Sequence, residues 1–127
     1  MNELEQRPVV LAVDDTPENL DVVKGLLTPE FVVKAAVNGM MGLKIVAKQP
    51  PDLILLDIRM PKMDGFEVCQ KLKANPDSAD IPVIFLTGES DAASETDALE
   101  AGAAGYITKP IDPDALLAKI HACLKST

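Results

Sequence analysis

Acidic, hydroxyl and amino side chains stand where predicted buried strands end. Asp14 and Asp15 follow the apolar run 9–13, and Asp57 follows the apolar run that ends at Leu56. Thr87 and Lys109 hold the same place after two later runs. Each feature alone is common in turns and helix caps. The carboxyl ends of parallel strands meet at one edge of a sheet, where ligands bind, so the joint placement predicts one shared site.

Three converging carboxylates need a counter-charge. Two like charges about 4 Å apart repel by about 4 kcal/mol near a protein surface, so the cluster must take up a proton or a cation. Carboxylate oxygens without thiolate or imidazole ligands favour Mg²⁺. Lys109 and Thr87 would hold phosphoryl oxygens, and Asp57 would attack phosphorus as an aspartyl nucleophile. The residue types therefore predict magnesium-dependent phosphoryl transfer to Asp57.

Five apolar strands alternate with five helices along the chain. The strands are predicted over 9–13, 31–36, 53–57, 81–86 and 104–108. The helices are predicted to begin near Thr16, Met40, Asp64, Ser90 and Asp112, with the fourth ending at Glu100. Such alternation predicts right-handed crossovers and a doubly wound α/β fold, with a parallel sheet between helices.

Local signals mark several of these boundaries. Thr16 suits a helix N-cap and Pro17 the first helical position, while Asp64 followed by Glu67 resembles a capping box. The pair at 38–39, Asn-Gly, is predicted to form a turn. The second helix draws its apolar residues from Met41, Leu43, Ile45 and Val46.

The bulk composition bounds the class of protein. A chain of 127 residues fits one domain, and a net charge of −8 argues against binding nucleic acid or an anionic membrane. The N-terminus lacks a signal peptide, and no apolar run is long enough to cross a bilayer. Cys69 and Cys123 are expected to be buried thiols in a reducing compartment. His121 is expected to face solvent. We therefore expect a cytoplasmic protein.

The chain resembles the receiver domain of two-component response regulators. The resemblance is carried by VDD at 13–15, LLDIRMPKMDG at 55–65, LTG at 86–88 and GYITKP at 105–110. It implies a flavodoxin-like five-stranded sheet with strand order 2-1-3-4-5 and five helices. The receiver domain is expected to cover 8–125, after a flexible N-terminal segment at 1–7.

The resemblance also implies a role for each matched residue. Asp57 is implied to be the phosphoacceptor, Lys109 to bind the phosphoryl group, and the Lys109–Pro110 bond to be cis. Thr87 and Tyr106 are implied to form the switch pair. Mg²⁺ is implied to bind three carboxylates and one backbone carbonyl: Asp14, Asp15, Asp57 and Arg59.

The implied function is a switch controlled by phosphorylation. A histidine kinase or phosphotransfer protein would supply the phosphoryl group, and a downstream protein or output domain would read the result. Movement of Thr87 toward the phosphoryl group would let Tyr106 turn inward and remodel the face formed by helix 4, strand 5 and helix 5. The alternative is that Tyr106 is simply a half-buried aromatic residue. A monomer or weak dimer, without direct contact to nucleic acid or membrane, is expected.

Two flanking charges are candidates for setting the phosphoryl lifetime. Arg59 lies two residues after Asp57, and Glu89 lies two residues after Thr87. If they pair across the site, they would hinder the attacking water. The alternative is that both are solvated surface charges.

Three other classes compete with a signalling switch. A haloacid-dehalogenase-type phosphatase would carry a second Asp at position 59, where this chain has Arg59. A nucleotide or flavin binder on the same fold would be expected to carry a glycine-rich phosphate loop, and no such motif is found. A receiver-like module that ignores phosphate would not need the acidic cluster, Thr87 and Lys109.

Overall fold

A parallel β-sheet forms the centre of the protein. The computed structural model describes residues 7–28, 30–87, 99–109 and 111–125. Its strands are β1 (Val9–Val13), β2 (Val32–Ala36), β3 (Leu53–Asp57), β4 (Val83–Thr87) and β5 (Gly105–Thr108). All pairs are parallel, in the order β2-β1-β3-β4-β5. This confirms the predicted flavodoxin-like order, in which the central strands carry the acidic residues.

Four helices of at least ten residues lie within the described ranges, and Leu99 and Glu100, at the end of the helix predicted over 90–100, are also helical. The four are α1 (Pro17–Leu27), α2 (Gly39–Lys48), α3 (Gly65–Ala74) and α4 (Pro113–Lys125). Most of the helix predicted over 90–100 lies outside the described residues, as does most of the N-terminal segment 1–7. The helix named α4 here is therefore the fifth helix of the prediction.

The core has two layers, one on each side of the sheet. Residues of α2 and α3 pack on one face of the sheet, and residues of α1 and α4 pack on the other. Strands β3 and β4 are buried at every position, which explains their unbroken apolar sequences. Burying each large aliphatic side chain there stabilises the fold by about 1.5–3 kcal/mol. The ends of these strands are thus anchored in a closely packed core.

Helix caps follow the sequence signals with two differences. Asp64 caps α3 by accepting a hydrogen bond from the Glu67 backbone N–H at 2.9 Å, as predicted. Thr16 occupies the N-cap of α1, but its side chain makes no capping bond. Asn38 does not form the predicted turn. It caps α2, its Oδ1 accepting from the Met41 N–H at 2.8 Å, because an extended Asn38 backbone leads directly into the helix.

Glycines join apolar residues in bringing α2 against the rest of the fold, where Val46 lies in the core and Leu43 and Ile45 pack against it, as predicted. The buried residues of α2 are Gly39, Gly42 and Val46, while Met41 is 43% exposed. A Cβ atom on Gly42 would lie 3.0 Å from a Val13 methyl carbon, so little room is left for a larger residue. This close approach turns the methionines of the first helical turn outward.

The structure also tests the expectations for His121, for the two cysteines and for membrane-spanning segments. Phe31 is buried but precedes β2, and its ring packs against the ring of His121, so the histidine is only partly solvent-facing. Cys69 is buried and Cys123 is half-buried, and both are free thiols. None of the helices in the described part of the chain has the length and apolarity to span a membrane.

Candidate functional site

Three carboxylates meet at the carboxyl ends of two adjacent central strands. Asp14 and Asp15 follow β1, and Asp57 is the last residue of β3. One oxygen from each side chain lies within 4.8 Å of the others. Asp14 and Asp57 are 2% and 6% exposed, whereas Asp15 is exposed. The predicted convergence is confirmed, and it leaves the cluster open to solvent on the Asp15 side.

Asp14 is held in place by the turn that leads into α1. Its Oδ1 accepts a hydrogen bond from the Thr16 backbone N–H at 2.9 Å, and its Oδ2 accepts one from Asn19 Nδ2 at 3.2 Å. Sequence analysis did not single out Asn19. A polar residue in the first turn of a helix that follows an acidic strand end was the available signal. Together these donors orient a buried carboxylate and offset part of its desolvation.

Lys109 supplies the positive charge within this site. Its Nζ lies 3.3 Å from Asp57 Oδ1 and 3.4 Å from Asp14 Oδ2. The side chain is 26% exposed, and the Lys109 backbone N–H donates to the Thr87 carbonyl at 2.6 Å. The end of β5 is thereby fixed beside β4, and the amine is placed between the two buried carboxylates.

Asp57 has a perturbed protonation equilibrium. Burial raises the pKa of this carboxyl from its ordinary 3.8 to about 6, and the negative charge of Asp14 adds to the rise. Lys109 opposes it through its charge and its hydrogen bond, while Asp15 contributes a smaller rise in the pKa. The charged form of Asp57 is therefore poorly compensated by protein groups alone.

The donor set fits a hard divalent cation. Three carboxylates and one lysine give the cluster a formal charge of −2. All ligand atoms offered are oxygens, the chemistry that Mg²⁺ prefers, and the exposure of Asp15 leaves room for water ligands. A divalent ion held by these oxygens would offset the negative charges of Asp14 and Asp15, which add to the rise in the Asp57 pKa caused by burial.

Thr87 and Tyr106 lie on the same face of the sheet. Thr87 is the buried last residue of β4 and aligns with Thr108. Tyr106 is half-buried and aligns with Phe85, two residues before Thr87. Because side chains alternate along a strand, these four residues share one face, which packs with α2 and α3. The predicted pair is therefore brought to one side of two neighbouring strands.

Gly65 packs against the backbone of Asp57, the candidate phosphoacceptor. A Cβ atom there would lie 2.5 Å from the Asp57 carbonyl oxygen and 2.9 Å from Ile58 Cα. The Gly65 N–H donates to the Ile58 carbonyl at 2.8 Å. In the loop before it, Lys62 adopts a φ of 70°, which is uncommon for a residue other than glycine. The sequence motif contained Gly65, but its spatial role became visible only in the structure.

Of the remaining predicted site residues, the structure describes only some. Arg59 is exposed, two residues after Asp57. Glu89, Gly88 and Pro110 lie outside the described residues, so the pairing of Arg59 with Glu89 and the isomer of the Lys109–Pro110 bond remain predictions.

Comparison with known proteins agrees with this geometry. The sequence profile of the response regulator receiver domain matches residues 10–121. The chain is 42% identical over 117 residues to a probable cyclic di-GMP phosphodiesterase of Vibrio cholerae, covering 92% of this chain and 26% of that protein. It is 39% identical over 121 residues to the DNA-binding transcriptional regulator RpaA of Synechocystis, covering 94% of this chain and 50% of that protein. The chain thus spans a quarter to a half of these relatives.

Solved structures give the same result. The receiver domain of a signal transduction histidine kinase from Syntrophus aciditrophicus superposes with a TM-score of 0.86 at 34% identity, covering 94% of this chain and 92% of that one. The chemotaxis protein CheY4 of Vibrio cholerae superposes with a TM-score of 0.86 at 29% identity, covering 93% and 99%. Both similarities extend over almost the whole fold.

Proposed function

Since this chain belongs to the response regulator receiver domain family, we propose that it accepts a phosphoryl group on Asp57 in a Mg²⁺-dependent reaction. The donor is a histidine kinase or a phosphotransfer protein. One observation carries this proposal: three carboxylates and the Lys109 amine, drawn from separate strand ends, converge on one point. A receiver that ignored phosphate would have no need to hold these charges together.

In the reaction, an Asp57 carboxylate oxygen forms a bond to phosphorus while the bond from phosphorus to the donor nitrogen breaks. Asp14 and Asp15, with Asp57 and the backbone carbonyl of Arg59, would hold Mg²⁺, which supplies positive charge to the transferring group. Lys109 binds a phosphoryl oxygen, a role supported by its 3.3 Å distance from Asp57. Thr87 donates its hydroxyl hydrogen to another phosphoryl oxygen.

Asp57 must be deprotonated to attack phosphorus, and the pKa of about 6 describes the site without a metal ion. Only the carboxylate form is nucleophilic, and burial raises the pKa of Asp57 to about 6. At neutral pH most molecules are already deprotonated. Lys109 favours this form of Asp57, so the residue proposed to bind a phosphoryl oxygen also favours the nucleophilic carboxylate.

The phosphorylated state is read through Thr87 and Tyr106. Movement of the Thr87 hydroxyl toward the phosphoryl group vacates space for the Tyr106 ring, which remodels the face formed by the helix predicted over 90–100, β5 and α4. The placement of Thr87 and Tyr106 on one sheet face supports this coupling. Arg59 and Glu89 are proposed to modulate the phosphoryl lifetime by hindering water.

The proposal also covers the output partner, the cellular location and the oligomeric state. The relatives are longer than this chain, so we propose that the switched face controls either a separate downstream protein or an output domain. The functional unit is 8–125, acting in the cytoplasm as a monomer or weak dimer, without direct contact to nucleic acid or membrane. It catalyses its own phosphorylation and dephosphorylation and turns over no external substrate.

Mass spectrometry after incubation with a small-molecule phosphodonor tests the proposal. The parent protein should gain the mass of one phosphoryl group with Mg²⁺ and none with EDTA. Asp57→Asn should gain no mass in either condition. No mass gain by the parent in Mg²⁺, or equal labelling of Asp57→Asn, would refute the assignment. Turnover of phosphomonoesters would instead favour a phosphatase.

A further inference from the structure

The segment 31–51 differs in charge from the rest of the chain. It contains Lys34, Lys44 and Lys48 and no acidic residue, although the chain has 20 Asp and Glu and a net charge of −8. The acidic residues that flank the segment are engaged elsewhere: Glu30 pairs with His121, and Asp52 accepts a hydrogen bond from the Val9 N–H. The segment forms β2 and α2, at one edge of the sheet. This edge is therefore a local cationic region on an acidic protein.

The same segment exposes large apolar side chains. Among the described residues, five large hydrophobic side chains are exposed, and three of them, Val37, Met40 and Met41, lie within five positions. Their exposed fractions are 42%, 56% and 43%. Close packing of Gly39 and Gly42 against the fold turns these side chains outward. Clustered apolar exposure of this kind marks an interaction surface.

A groove runs beside these residues. A cavity of about 650 Å³ lies between the start of α2 and the loop 61–63, with Met40, Pro61 and Met63 among its walls. A second depression of about 460 Å³ continues along α2 at Met41, Ile45 and Lys48. The first cavity is lined by one charged residue of each sign, Asp15 and Lys62, whereas the charged residues that line the second are the lysines at 44 and 48.

The lysines of this second depression are available for pairing. Lys44 and Lys48 are one helical turn apart on α2 and are exposed, in line with Met40. Neither makes an ion pair or a side-chain hydrogen bond within the part of the chain that the structure describes. Lys34, by contrast, donates to Gln49 Oε1 at 2.6 Å. On this side of α2, the apolar Met40 side chain is thus followed by two lysines that have no ion-pair partner among the described residues.

We propose that this α2 groove, defined by Val37, Met40, Met41, Lys44, Lys48 and the loop 61–63, docks an acidic amphipathic helix of a protein partner. The helix places apolar side chains beside Met40 and its carboxylates beside Lys44 and Lys48. An anionic membrane is the less favoured occupant because it is an extended surface that would also face the acidic residues beyond the groove, in a chain with a net charge of −8, whereas a single helix contacts the groove alone. This surface is separate from the switched face proposed above.

A backbone-amide NMR titration tests the proposal. The probe is a designed helical peptide with leucines at helical spacing and glutamates beside them. Saturable shifts should be confined to residues 37–48 and 61–63. A matched peptide with lysine in place of each glutamate should bind about tenfold more weakly, since it loses the ion pairs and gains repulsion. Absence of saturable shifts, shifts centred elsewhere, or equal binding of both peptides would overturn the proposal.

Charge-reversed variants provide the second arm. Lys44→Glu/Lys48→Glu should weaken binding of the acidic peptide about tenfold, whereas the matched control Lys24→Glu/Lys119→Glu, on α1 and α4, should not. Equal losses in both variants would overturn the proposal. So would concentration-dependent shifts of the same residues without peptide, which would indicate a second copy, or co-sedimentation with phosphatidylglycerol vesicles without peptide binding.

Discussion

Gly65 and Asp57 are in contact through backbone atoms alone. A Cβ atom on Gly65 would lie 2.5 Å from the Asp57 carbonyl oxygen, so there is no room for a side chain. The first turn of α3 and the tip of β3 are therefore packed as tightly as the chain allows. Since backbone cannot move aside as a flexible side chain does, any larger residue must push α3 away from the site. Asp57, the proposed phosphoacceptor, is therefore positioned by close backbone packing against a residue that has no side chain.

Gly65→Ala should destabilise the protein by about 2 kcal/mol through this overpacking, and it should slow phosphorylation by a small-molecule donor. Urea unfolding and mass spectrometry would measure the two effects. Gly25→Ala is the matched control, since a Cβ there meets nothing within 4 Å in the middle of α1. It should stabilise the protein by about 0.5–1 kcal/mol and leave phosphorylation unchanged. Equal effects of the two substitutions would contradict this account.

The raised pKa of Asp57 predicts a defined pH dependence of stability. The folded pKa of about 6 lies above the ordinary 3.8, so the folded protein binds the proton more tightly than the unfolded chain. Stability should therefore fall as pH rises between these values, by at most about 3 kcal/mol. Asp57→Asn removes this loss. In EDTA it should be more stable than the parent at pH ~7, and the difference should vanish below pH ~4.

Urea unfolding across this pH range, with EDTA and with Mg²⁺, provides the measurement. Mg²⁺ should stabilise the parent more than Asp57→Asn because the cation binds the native carboxylates. A stability difference between parent and variant that is constant with pH would show that the burial of this carboxyl is not the cause.

Lys109→Met should affect metal binding and phosphorylation in opposite directions. Loss of the cation 3.3 Å from Asp57 leaves the three carboxylates more negative, so Mg²⁺ should bind more tightly. Phosphorylation should slow by about 100-fold, because a donor to the transferring group is lost. Calorimetric Mg²⁺ titration and timed mass spectrometry would separate the two effects. Lys24→Met, on the exposed surface of α1, is the control, and parallel changes in both measurements would argue against the assigned role.

Tyr106→Ala tests the proposed switch. Amide spectra of parent and variant are compared with and without a phosphoryl mimic and Mg²⁺. In the parent, the mimic should shift amides in the segment 90–100 as well as around Asp57. In Tyr106→Ala, the shifts around Asp57 should remain while those in 90–100 should be lost. If the two proteins respond identically in 90–100, Tyr106 is only a half-buried aromatic residue.

Arg59→Ala and Glu89→Ala test the proposed control of lifetime. If the two charges hinder the attacking water together, each single substitution should speed loss of the phosphoryl group, and the double variant should add little further. Decay of the phosphorylated mass in Mg²⁺, after removal of the phosphodonor, gives the rate. Rates equal to that of the parent in all three variants would identify both residues as solvated surface charges.

The alternation of strands with helices and the meeting of the strand-end residues were predictable from chain-local patterns, whereas the order of the strands in the sheet was implied by the resemblance to receiver domains. Apolar runs followed by Asp14, Asp57 and Lys109 need only the geometry of a parallel sheet to converge. The same logic predicted the cap at Asp64. These predictions hold because each apolar run is long enough to form a single buried strand.

Features that depend on how closely two elements approach were not predictable. The outward position of Met41 follows from glycine packing of α2 against β1, and the support of Asp57 by Gly65 follows from contact between loop and strand. Asn19 reaches Asp14 only because α1 starts in a particular orientation. A residue's own type and spacing carry little information about such distances, which tertiary packing determines.

Lys109 contacts Asp14 across 95 positions of the chain. A contact between residues so far apart in the chain requires the strands that precede them, β1 and β5, to be in the sheet together. During synthesis, the ribosome releases the acidic residues well before the lysine. Until β5 docks, the Lys109 amine is therefore missing from beside Asp14 and Asp57, so the complete charge arrangement of the candidate site depends on the last strand of the sheet.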